Sequence, residues 1–236
     1  MALSDFWEEQ AEAWVRWARA PAHDSYWLFH RDRFLELLPP PGGLTVDVGC
    51  GEGRLSRHLK ELGHAVLAVD RSPTMVRYAR EADPELDVRE ADATALPLED
   101  QAADLVVSFM SLMNTDDLEA AVREAARVLG PDGSYCVAIV HPLNTAGVFL
   151  SREPDAAFMI EGSYFEHTRK EVPVERDGLA MTFLDAHRPL EDYFRALETA
   201  GFAVERLREI ADTSDDEGAA RWRRIPLFLH LRARLA

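Results

Sequence analysis

One glycine-punctuated run, Val46-Asp47-Val48-Gly49-Cys50-Gly51-Glu52-Gly53-Arg54, constrains this chain more than any other feature. The apolar stretch from Leu44 to Val48 ahead of it suits a strand buried on both faces. Behind it, Leu55, Leu59 and Leu62 recur at helical spacing until Gly63. Strand, glycine turn and helix form the opening unit of a doubly wound sheet, in which ligands bind outside the carboxyl ends of the strands. Glycines in such a turn take positive φ and let the backbone approach a ligand closely.

The same alternation continues downstream. Ala65 to Val69 is a second apolar strand ending at Asp70, and Ser72-Pro73 supplies an N-cap and a first-turn proline for a helix carrying Met75, Val76 and Ala79. A third strand, Leu86 to Arg89, precedes Ala91-Asp92-Ala93, and a fourth runs through Leu105-Val106-Val107. A helix from about Asp117 stops at Gly130-Pro131, and Tyr135 to Val140 is strand five. Strands that alternate with helices predict a parallel sheet with right-handed crossovers. From His141 to about Thr182 the periodicity dissolves, and a segment that long is expected to be an irregular lid or binding insert. A helix from Pro189 to Ala200 then leads to two last strands, Phe202 to Leu207 and Ile225 to Leu231. The acidic run Asp212 to Glu217 reads as a solvated loop between them. The expected architecture is thus a single α/β domain over residues 1–236, Rossmann-like, with a seven-stranded, mostly parallel sheet and helices on both faces. Its parts are a helical cap over 1–40, a core over 44–140, an insert over 141–185, and a helix with a hairpin over 186–236 whose last strand is antiparallel.

Composition narrows the function classes. The formal charge of −16 opposes a nucleic-acid backbone, so no nucleic-acid partner is favoured. No apolar run approaches the roughly 18 to 20 residues of a bilayer span, and acids stand where a secretory signal would be basic, so no membrane and a cytoplasmic location are expected. Cys50 and Cys136 read as reduced thiols, without the ligand spacing of a metal site. The glycine turn also chooses among ligands. A dinucleotide site wants a glycine where Arg54 stands, and Asp47 puts a carboxylate where a pyrophosphate would lie. An acid there suits a cationic ligand without phosphate, and S-adenosylmethionine carries both an ammonium and a sulfonium.

On these residues the chain resembles the class I S-adenosylmethionine-dependent methyltransferases, especially the bacterial small-molecule group related to ubiquinone-pathway enzymes. The resemblance is strong over residues 44–140. It implies that Asp47, Gly49, Cys50, Gly51 and Gly53 form the turn against the methionine part of S-adenosyl-L-methionine. Asp70, with Arg71 beside it, meets the ribose, Met75 covers the adenine, and Asp92 and Ala93 lie at its amino edge. Phe109 stands where the cofactor and acceptor pockets meet. Trp14 and Arg19 on the N-terminal helix are placed over the cofactor, Arg19 toward its carboxylate. The product would be S-adenosyl-L-homocysteine.

On the acceptor side, His141 directly follows strand five and is the candidate general base, because an imidazole titrates near neutrality. His167 and His187 are weaker candidates. Tyr26, Met110, Met113, Asn114, Tyr164 and His167 are the expected acceptor contacts, and Phe149 and Phe158 add aromatic surface under a lid. The expected activity is methylation of oxygen, nitrogen or carbon on a small-molecule substrate by a monomer or homodimer. Other readings are a different reaction on the same cofactor, an RNA or protein acceptor met by Arg221-Trp222-Arg223-Arg224, a nicotinamide oxidoreductase, and a binding module without catalysis.

Overall fold

In the computed structural model, which describes residues 2–236, the chain order is as follows. Helix α1 (Leu3–Arg19), a π-helical turn (Tyr26–His30) and α2 (Arg31–Leu35) precede β1 (Thr45–Val48), α3 (Arg54–Glu61), β2 (Val66–Asp70), α4 (Pro73–Ala82), β3 (Asp87–Glu90) and β4 (Ala103–Phe109). Then come α5 (Leu118–Val128), β5 (Leu129–Val140), α6 (Pro142–Thr145), β6 (Gly147–Phe149), β7 (Phe158–Ile160), β8 (Thr168–Arg176), β9 (Leu179–His187), α7 (Leu190–Thr199), β10 (Phe202–Ile210) and β11 (Phe228–Leu235).

Every residue of β1 is buried, and the strand pairs in parallel with β2 on one side and β4 on the other. The sheet order is β10-β11-β5-β4-β1-β2-β3, with β11 inserted antiparallel between β5 and β10. This is the expected seven-stranded, mostly parallel sheet. Alternation along the strands separates two cores. Val46, Val106 and Val137 meet α5 and α7, whereas Leu105, Val107 and Cys136 meet Tyr26, Phe34 and α3.

The boundaries correct the sequence reading in two places. β5 begins at Leu129, where a register shift against β4 absorbs Gly130 to Gly133, and β10 and β11 run on to Ile210 and Leu235. The second correction is larger: the insert is not irregular. It holds two antiparallel hairpins, β6-β7 and the nine-residue pair β8-β9. The β8-β9 turn is Asp177-Gly178, with φ of 51° and 76°, the two positive values that a tight hairpin joining right-twisted strands requires. Among the described residues, no helix is long and apolar enough to cross a membrane.

A pair of histidines ties the cap to the last strand. His30 Nδ1 lies 2.8 Å from His230 Nε2, both rings are buried, and their outer nitrogens have no partner. One N–H serves the contact between two neutral rings; an added proton would place a cation, and a second added proton two adjacent cations, in an apolar site. Burial lowers both pKa values, that of His230 to about 4. The native pair therefore stays neutral while an unfolded chain takes up protons below about pH 6.5, so stability is full above that pH and is lost as pH falls toward 4. Asp47, whose folded pKa is about 7, works in the opposite direction over the same pH window, so the pair is read as a difference. Between pH 7.5 and 5.5, urea denaturation should show the unmodified chain losing roughly 1 kcal/mol per pH unit relative to His230→Phe; an equal pH dependence in the two proteins would contradict this assignment.

Candidate functional site

The site begins where β1 turns into α3. Gly49 has φ of 75°, and a Cβ there would lie 2.3 Å from Ser111 Cβ; Ser111 in turn donates to the Val48 carbonyl at 2.6 Å. Gly51 has φ of 56° and donates its amide to Asp70 Oδ2 at 2.8 Å. A side chain at Gly49 would push apart the turn after β1 and the loop after β4. Around this junction lies a cavity of about 590 Å³, within the size range of small-ligand sites.

Its acids are held in distinct ways. Asp47 is buried, accepts from Ser56 Oγ at 2.5 Å through Oδ2, and leaves Oδ1 without a partner at the cavity wall. Burial, with the nearby Asp70 charge, raises its pKa to about 7 against the Ser56 bond. Asp70 accepts the Gly51 and Ser72 amides, one on each oxygen, and burial raises its pKa also. Each oxygen keeps accepting capacity for a ligand hydroxyl. Asp92 accepts from the amide and hydroxyl of Thr94 and pairs with Arg71 at 2.9 Å. These bonds outweigh its partial burial and hold its pKa below the usual carboxylate range.

Helix α1 roofs the cavity, and its acids clamp it to α4. Glu8 accepts from Ser72 and Thr74, Glu12 accepts from Arg77 and Tyr78, and the Leu3 amide donates to Asp116. Hairpin β8-β9 closes the side. Phe183 packs edge-on against Trp14 at 6.1 Å and Trp17 at 5.9 Å, and the Thr182 amide donates to Gln10.

Of the residues singled out in the sequence, Trp14, Asp47, Gly49, Cys50, Gly51, Asp70, Arg71, Met75, Asp92, Ala93, Phe109, Met110, Met113 and Asn114 come together in the cavity wall. Met110 has φ of 54°, a conformation disfavoured for its side chain and held by the hydrogen bond its amide donates to the Ala138 carbonyl at 2.8 Å. Gly53, Arg19, Tyr26, His141, Tyr164 and His167 do not line it. Gly53 instead starts α3. Arg19 binds the buried Glu52 through both Nε and Nη2, which draws its guanidinium away. Tyr26 is buried behind the wall, with its hydroxyl 2.6 Å from His58 Nδ1. Tyr164 receives the Leu190 amide, and His167 is mostly exposed beside Asp192.

His141 departs furthest from expectation. Its Nδ1 accepts the Leu143 amide at 3.0 Å, capping α6, and its Nε2 faces Glu209 at 3.2 Å on the β10 side. With Nδ1 occupied and the ring turned away from the cavity, it has no lone pair to offer an acceptor. Nor does His187, whose nitrogens meet Thr145 Oγ1 and the Tyr164 carbonyl. Outside the cavity, Phe149 packs edge-on against both Phe158 and Trp222, and Arg221, Arg223 and Arg224 donate to backbone carbonyls of their own loop and of residues 152–156.

Several wall residues were not singled out in the sequence. Arg54 forms a buried ion pair with Asp24 and lies over the Tyr26 ring, and burial lowers its pKa to about 10. Trp7, Phe183, Arg188 and Tyr193 also line the cavity. The spacing of Trp7, Trp14 and Trp17 on one helix was a usable signal for the roof, whereas the arginine contacts depend on tertiary neighbours.

A family model described as a methyltransferase domain matches residues 46–137. The malonyl-[acyl-carrier protein] O-methyltransferase of Pectobacterium atrosepticum is 34% identical over 135 residues, covering 56% of this chain and 53% of that protein. The demethylmenaquinone methyltransferase of Renibacterium salmoninarum is 35% identical over 103 residues, covering 43% and 44%. The chain thus spans about half the length of these curated relatives. Among solved structures, an S-adenosylmethionine-dependent methyltransferase from Mesorhizobium loti superposes with a TM-score of 0.68 at 28% identity, over 85% of this chain and 95% of that one.

Asp47 offers a direct test of the site's electrostatics. A carboxyl whose pKa rises on folding opposes stability as pH climbs from about 4 to about 7. Asp47→Asn should therefore stabilise the ligand-free protein at pH 8 by on the order of 1–3 kcal/mol. The gain should vanish near pH 4; a destabilised variant at pH 8 would contradict the assignment.

Proposed function

Taking as premise that the chain belongs to the class I S-adenosylmethionine-dependent methyltransferases, we propose that it methylates a small-molecule acceptor in the cavity beneath α1. The observation that carries this reading is the junction at Gly49. There a buried acid with an unpartnered oxygen, a turn that excludes any Cβ, and Asp70 ending the next strand converge on one cavity. That cradle fits the cofactor. Asp70 would hold the ribose hydroxyls, Met75 would cover the adenine, and Asp92 and Ala93 would border its amino edge. The Gly49 to Gly51 turn would back the methionine part, with Asp47 facing its positive charge. Arg54, which lines the cavity beside the turn and is paired with Asp24, would face the cofactor's carboxylate in the role the sequence assigned to Arg19.

Bound there, the cofactor supplies a methyl group on a positively charged sulfur. The protein's part is to orient the acceptor and exclude water. Trp7, Trp14, Trp17 and Phe183 supply an aromatic roof and wall for that purpose. The relatives support a small acceptor, since their names specify a malonyl group on a carrier protein and a demethylmenaquinone.

Thermal unfolding with excess S-adenosylhomocysteine should raise the melting temperature. Ligand at about 100 times its dissociation constant adds roughly 2.7 kcal/mol, a shift of roughly 5–10 °C. NAD should give none. Asp70→Ala should weaken the homocysteine ligand roughly 10- to 100-fold, as the loss of charged hydrogen bonds predicts. A response to NAD alone would overturn the reading.

A further inference from the structure

Three arginines line the cavity, and they differ in their partners. Arg54 is paired with Asp24 and Arg71 with Asp92. Arg188 has no carboxylate partner among the described residues, in a chain with 42 acids and only 26 lysines and arginines. It is nevertheless fixed: Nη1 donates to the Met113 carbonyl at 2.7 Å and Nη2 donates to the Thr115 carbonyl at 2.5 Å. Two partners do not exhaust the five N–H groups of a guanidinium. A positioned cation with spare donors in a cavity wall is what an anionic ligand group requires.

Among the described residues, the cavity also offers no free base for a neutral acceptor. His23 is the histidine in its described wall, and its nitrogens face the carbonyls of Pro21 and Arg176. Among the wall acids, Asp24 and Glu52 are paired with arginines. Asp116 holds the Leu3 amide and Arg169, and Asp117 caps α5. Asp47, Asp70 and Asp92 stand on the cofactor side. A carboxylate acceptor needs no base, because it carries its lone pair unprotonated at neutral pH.

We propose that the acceptor is a carboxylic acid, that Arg188 grips one oxygen of its carboxylate, and that the other oxygen receives the methyl group. This rests on the methyltransferase reading above. The oxygen lone pair forms the new O–C bond, the C–S bond breaks with its electrons passing to sulfur, and no proton moves. The products are a methyl ester and S-adenosylhomocysteine.

The test uses the full chain saturated with S-adenosylhomocysteine and probed with benzoate and octanoate against their neutral amides. The carboxylates should raise the melting temperature of the complex and the amides should not. Arg188→Met should weaken carboxylate binding at least tenfold while leaving homocysteine affinity within about twofold, and Arg188→Lys should restore part of the loss. With methyl-labelled S-adenosylmethionine, label transferred to the acids should be released as methanol by alkali. An equal response to amides, no response to either carboxylate, an alkali-stable product, or unchanged carboxylate binding in Arg188→Met would each overturn the proposal. Loss of homocysteine binding in Arg188→Met would reassign the residue to the cofactor. Failure of the unmodified chain to bind S-adenosylhomocysteine would instead sink the methyltransferase reading itself.

Discussion

Parallel pairing of β1 between β4 and β2 is the constraint on which the rest of this molecule depends. It buries four consecutive residues, Asp47 among them, and so carries a carboxylate into the sheet one turn before the chain must leave it. Glycines at 49 and 51 make that exit possible, and Ser111 fills the space a side chain would need. The strand, the turn and the loop after β4 are thereby locked together, and the cavity opens where their ends diverge. Holding Asp47 there opposes stability at neutral pH, a pattern common where binding rather than folding sets the residue.

The two elements that enclose the cavity use different forces. Helix α1 is attached to α4 by carboxylates on hydroxyls and a guanidinium, contacts that are partly exposed and individually weak. Hairpin β8-β9 is attached through aromatic edges, with Phe183 between Trp14 and Trp17. The cavity is thus closed by a polar seam on one side and an aromatic one on the other.

The core was legible in the sequence because each part of it announces itself locally. Continuous apolar strands, a glycine turn, and acids at the ends of β1 and β2 require no knowledge of distant neighbours. The β8-β9 hairpin was hidden for the opposite reason. Thr168, Arg169, Lys170, Glu171, Glu175 and Arg176 stand on an exposed strand, so only Val172 and Val174 hint at alternation, and the Asp177-Gly178 turn was the one clear signal. Side-chain roles were legible only where the backbone fixes them. Asp70 follows from strand position, whereas Arg19 and His141 are decided by Glu52 and Glu209, partners far away in sequence. Arg188 stands out by the absence of a carboxylate partner among the described residues, which no spacing rule reveals.

Diffraction from crystals grown with S-adenosylhomocysteine tests most directly where the cofactor lies. The predicted difference density fills the cavity beneath α1, with the ribose at Asp70, the adenine between Met75 and Asp92-Ala93, and the sulfur toward Phe109 and Met110. Density elsewhere on the molecule, or an empty cavity in a protein that binds the ligand in solution, would contradict the assignment of the Asp47 to Gly51 turn and the acceptor site derived from it.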